Sequence, residues 1–161
     1  MSDIFGMTSL RLGGVSPQSA TGKAAASRAK VLELTQAAED AVLAPEDCGG
    51  ISADLRAALA ARIARLNGDE ALAAHYAARI VGDATLADPA QDGAAQGVAA
   101  MVAFMDKVAA KTAGVAAGDV SALQSAGVSD ADIVRLAELN AFLAYQIRLI
   151  AGLRLMEGAG A

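Results

Sequence analysis

The sequence predicts an all-α protein of about six helices, and three observations carry that reading. Alanine, the strongest helix former, dominates a composition that is 55% hydrophobic. Aromatic residues make up 3% of the chain, with no Trp, and β-branched residues are sparse, so the material for a sheet is missing. The long apolar segments repeat at helical spacing, and none alternates as a strand does. At 161 residues the chain is long enough for one domain with a real core.

The first 22 residues are rich in Gly, Ser and Pro and read as an extended, flexible arm. No basic start precedes an apolar run there, so no signal peptide is expected. A single helical domain is expected over 23–157, with a short tail at 158–161. Its first helix spans 23–43, where Leu32, Gln36, Glu39 and Leu43 share one row and Val31, Leu34 and Val42 share another. Pro45 ends it. The loop Pro45–Gly50 holds Cys48, the only cysteine, with no base in the local sequence to activate it.

The next stretch, 51–82, reads as two helices around a corner at Asn67-Gly68-Asp69. Ser52 is the expected N-cap, with Asp54 in the first turn, where the helix dipole favours an acid. Leu55, Leu59, Ile63 and Leu66 form a stripe, and Arg56, Arg62 and Arg65 lie off it. Asn67-Gly68 suits a helix stop because both residues tolerate a left-handed backbone. The second helix restarts at Asp69, aligns Leu72, Tyr76 and Ile80, and stops at Gly82. It carries the only histidine, His75, beside the apolar stripe.

A loop over 83–93 leads to a helix over 94–112 with Val98, Met101, Met105 and Val108 on one stripe, a pattern of plain core. A short helix over 119–126 has Asp119 as its expected cap. The last helix, 129–156, starts on Ser129 and is about 40 Å long at 1.5 Å per residue. It is apolar on two faces, one of which suits a second subunit. Asn140, Gln146, Arg148 and Arg154 interrupt it too often for a membrane span.

Net charge is −5 and no basic cluster occurs, which argues against nucleic acid as partner. One cysteine excludes an internal disulfide and fits a cytoplasmic protein. No cofactor or metal is expected, since His75 has no second His or usable Cys to complete a metal site.

The segment LQSAGVSDADIVRLAELNAFLAYQIRLIAGLRLM resembles the C-terminal part of alkylhydroperoxidase D-like and carboxymuconolactone decarboxylase-like (CMD domain) proteins. The residues that carry the resemblance are Leu123, Ala126, Gly127, Val128, Ser129, Asp130 and Arg148. It covers about 25–157 and implies a homo-oligomeric helical bundle, a dimer or a trimer of dimers. Redox-active members place Cys-x-x-Cys-x-x-x-His at the helix corner, with an earlier Glu. Anchored on His75, the two thiol positions fall on Gly68 and Ala71, and the carboxylate position on Arg56 or Ala57. Asp54, Asp69 and Glu70 stand at other positions.

His75 therefore has three readings: a structural core histidine, a proton-transfer or ligand-binding group, or a metal ligand. Arg148 either pairs with an acid or anchors an anionic small molecule, and Tyr76 stands beside His75 as a second candidate binding residue. Tyr145 and Gln146 read as interhelix hydrogen-bonders. Three functions follow. The first is a ligand-binding, structural or regulatory protein with a degenerate redox site. The second is a cofactor-free, decarboxylase-like acid–base enzyme that uses His75, with Arg148 as anion anchor. The third is a residual peroxidase that uses Cys48 alone.

Overall fold

The computed structural model describes residues 3–158 and is all-α: among these residues there are eight α-helices and no strand. They are α1 Thr8–Leu12, α2 Ala20–Ala26, α3 Ala29–Leu43, α4 Ala53–Leu66, α5 Glu70–Ala77, α6 Ala99–Lys111, α7 Ala117–Ser125 and α8 Asp130–Gly158. Single 3-10 turns occur at Ile4–Gly6, Thr85–Ala87 and Thr112–Gly114. The chain forms two compact units: Met1–Ala41 with Tyr145–Ala161, and Val42–Ala144. The helix α8 supplies its first half to the second unit and its last half to the first.

In the first unit, the expected arm is helical. Ile4, Leu10 and Val15 are buried in one cluster with Ala25, Leu32 and Leu153, so the N-terminal segment gains a hydrophobic reason to fold. Thr8 fixes it further: its hydroxyl donates to Glu39 Oε1 (3.0 Å) and its amide to Gln36 Oε1 (3.0 Å). The expected 23–43 helix is two helices. Ser19 caps α2 by accepting from the Gly22 amide at 2.9 Å, and the chain turns at Ser27-Arg28 before α3 starts. Of the tail expected at 158–161, Gly158 ends α8 and the rest lies outside the described residues.

The second unit is built around α4, which packs on α5, on α6 and on the Thr85–Ala87 turn. Ser52 caps α4 through Leu55 N–H (3.2 Å), and Asp69 caps α5 through Leu72 N–H (3.0 Å). Gly68 adopts φ +75° at the corner. The helix α5 stops at Ala77, short of the expected Gly82, because Asp54 accepts the Val81 and Gly82 amides at 3.2 and 2.8 Å. The sixth helix starts at Ala99 and not at 94: the Asp88 and Asp92 carboxylates accept the Ala90 and Ala94 amides, which holds that stretch in turns. Asp119 lies inside α7 and reaches back to the Ala116 amide at 2.8 Å. Among the described residues no helix is long and apolar enough to cross a membrane.

Candidate functional site

The helix α4 is buried on every side from Arg56 to Ala64. Its alanines admit close neighbours, and its two interior arginines are each 2% exposed. Both were expected off the buried stripe, and the surrounding loops explain the difference. Arg56 donates Nε to Ile51 O (2.9 Å), one amino group to Val42 O (3.0 Å) and the other to Cys48 O (3.1 Å). Burial lowers its pKa, the direction desolvation imposes on a cation. Arg62 grips Asp106 in a fork, at 2.6 and 2.7 Å, and donates to the carbonyls of Asp88 (2.7 Å), Pro89 (3.0 Å) and Leu86 (3.4 Å). A shallow recess of about 410 Å3 lies beside Arg62, Asp92 and Asp106. All five N–H groups of Arg62 are committed to the protein, so this recess holds no spare cation for an anion.

The loop at 47–50 is fastened by a second charged group. Asp132 accepts the Gly50 amide (3.1 Å), the Ser129 hydroxyl (2.8 Å) and an Arg135 N–H (3.0 Å), and Arg135 also reaches Asp47 at 2.8 Å. The Ser129 hydroxyl first, then the Gly50 amide and Arg135, hold the Asp132 carboxyl below the usual carboxylate range against the opposing effect of burial. Cys48 is partly buried in this loop, with its Sγ 3.7 Å from Pro45 O.

His75 is half-buried on α5, and its ring lies 5.1 Å from that of the fully buried Tyr76. Asp54 and Asp69 bond backbone amides, and exposed Glu70 pairs with Arg65 at 3.7 Å. Gly68 and Ala71 are exposed, and Gly68 stands in the left-handed region, where a residue with a β-carbon is strained. Arg148 is exposed on the part of α8 that belongs to the first unit, whereas His75, Tyr76, Gly68 and Ala71 belong to the second. Among the described residues no group of three or more His, Cys, Asp or Glu side chains gathers as a metal site would.

The first unit contains a different feature. An open cavity of about 260 Å3 lies among α1, α2, α3 and the end of α8. Leu10, Leu32, Leu149 and Leu153 wall it, Ala24 and Ala25 leave the room, and Val31, Tyr145 and Met156 stand half-exposed at its edge. The Tyr145 hydroxyl meets Thr35 Oγ1 at 2.9 Å, which pins one wall. Behind that wall the Glu39 carboxylate, 1% exposed, accepts from Gln146 Nε2 (2.7 Å) as well as from Thr8. Arg28 also lines the cavity, and its guanidinium makes no ion pair or hydrogen bond with any described residue. Sequence reasoning placed none of these cavity residues in a site except Tyr145, weighed only as a hydrogen-bonder. The signal was the Ser27-Arg28 break, hidden inside an alanine run that read as continuous helix. The chain matches no known family, no curated protein and no solved structure.

Proposed function

We propose that this chain is a small-ligand-binding protein without thiol redox chemistry, an alkylhydroperoxidase D-like (CMD domain) chain whose thiol positions are Gly68 and Ala71. The cavity of the first unit carries the ligand-binding part: it is concave and largely apolar, with a few polar groups at its edge, the usual character of small-molecule sites. The redox-free part rests on the single cysteine, since a dithiol cycle needs a second thiol to resolve the sulfenic acid. Association as a homodimer at least belongs to the same proposal. Leu34 and Leu155, exposed on the first unit outside the cavity lining, support it. A cytoplasmic location is also part of it, supported by the cysteine count.

The test is uptake of a neutral apolar fluorophore such as N-phenyl-1-naphthylamine. Saturable uptake at one site per chain, lost on filling the cavity with Ala25→Phe, is the expected result. No uptake by a folded protein would sink the ligand-binding reading. Peroxide consumption with a dithiol reductant should not exceed that of free cysteine. Robust turnover would overturn the redox-free assignment.

A further inference from the structure

We infer that the cavity of the first unit takes a single short alkyl chain with an anionic head, the chain lying among Leu10, Leu32, Leu149 and Leu153 and the head on Arg28. This rests on the ligand-binding reading above and names the ligand class. Three features point to it. The walls are aliphatic, so the inner part of the ligand must be apolar. The volume, about 260 Å3, holds about nine groups of the ~30 Å3 that a water occupies. A methylene is of similar size, so the enclosed part of the tail is about eight to ten carbons long. Arg28 is the cation in the lining, and it lacks any carboxylate partner among the described residues. Its planar fork matches a carboxylate or phosphate better than a neutral head.

The arrangement contrasts with the buried Arg56 and Arg62 of α4, which bond to backbone carbonyls and, for Arg62, to Asp106. Arg28 is exposed, so its side chain reaches the head without leaving water entirely, and the head keeps part of its hydration. The tail then supplies most of the affinity and the head supplies selectivity.

Calorimetric titration of the full chain with decanoate, decyl phosphate, decanol and decyltrimethylammonium tests this. Decanoate or decyl phosphate should bind about fivefold more tightly than decanol, a preference that shrinks with added salt. Which of the two anions binds better identifies the head. Along the alkanoate series the affinity should rise about fourfold per methylene and level off near ten carbons. Arg28→Gln should erase the preference for the anions and leave decanol binding unchanged, with an unaltered circular dichroism spectrum as the check on folding. If no amphiphile binds, the ligand-binding reading itself falls. If decanol equals decanoate, or Arg28→Gln changes nothing, only the assignment of the anionic head falls. Uptake that weakens as protein concentration and mass rise together would give the cavity to a second copy of the chain and overturn the inference.

Discussion

The two units use the same side chain in opposite ways. In the second, Arg56 and Arg62 are buried and their guanidinium groups are bonded to the protein. In the first, Arg28 lies exposed on the lining of an apolar cavity with no acceptor for its guanidinium among the described residues. A buried arginine bonded to loop carbonyls holds loops in place, and an unbonded one beside a cavity is left to meet something else. The comparison separates positions that set stability from positions that set recognition, and each can be broken independently.

The largest effect should come from Arg62→Ala. It leaves the Asp106 carboxylate without its fork and uncovers the Asp88 and Pro89 carbonyls. Asp106 is 31% exposed and is partly rehydrated in the variant, so the lost fork and the stranded carbonyls together cost about 3 kcal/mol, which chemical denaturation will read directly. Arg56→Ala should cost less, about 2–3 kcal/mol, because it strands only neutral carbonyls, those of Ile51, Val42 and Cys48. An Arg56 variant as damaging as the Arg62 variant would mean that the carboxylate adds nothing beyond the carbonyls.

The helical class and the starts of α4, α5 and α8 were legible because they depend on local chemistry. Ser52 and Asp69 cap where a short polar side chain precedes an apolar repeat, and Gly68 turns the corner with a positive φ. The burial of Arg56 and Arg62 was not legible. Their acceptors are backbone carbonyls and an aspartate far along the chain, and nothing at positions 56 and 62 announces them. The arm over 1–22 misled because its composition is that of a disordered tail, while Ile4, Leu10 and Val15 are enough to fold its described part onto Leu32 and Leu153. The site was the least legible part. His75 drew attention as the only imidazole, but the cavity forms from alanines and leucines that any core contains. Its one chemical marker, Arg28, is visible only once the helix break beside it is known.

A smaller effect, set by pH, probes the loop at 47–50. The Asp132 carboxyl is held below its usual range when folded, mainly by the Ser129 hydroxyl and further by the Gly50 amide and Arg135. Unfolded, it titrates near the ordinary value of about 3.9. Its contribution is therefore present above that pH and is lost as pH falls below about 4, through the lower folded value. Asp132→Asn should lower stability at neutral pH and flatten the acid limb of the stability curve. An unchanged acid limb would show that Asp132 is not coupled to folding through these three donors.

The smallest effect on the unliganded protein should be that of Arg28→Gln. The side chain is exposed and bonds to no described residue, so its removal breaks nothing, and substitutions at such positions stay within about 0.5 kcal/mol. The contrast with Arg62→Ala is then several-fold, although both variants delete one arginine. Ligand changes the outcome. A molecule that binds only the folded chain stabilises it in proportion to the logarithm of its concentration over its dissociation constant. A fivefold weaker dissociation constant in the variant thus corresponds to about 1 kcal/mol of lost stabilisation at saturating decanoate, read as a smaller rise in melting temperature than in the parent chain. With decanol the two proteins should rise together. If Arg28→Gln destabilises the unliganded chain as strongly as Arg56→Ala does, then Arg28 is structural after all, and the distinction between the two units does not hold.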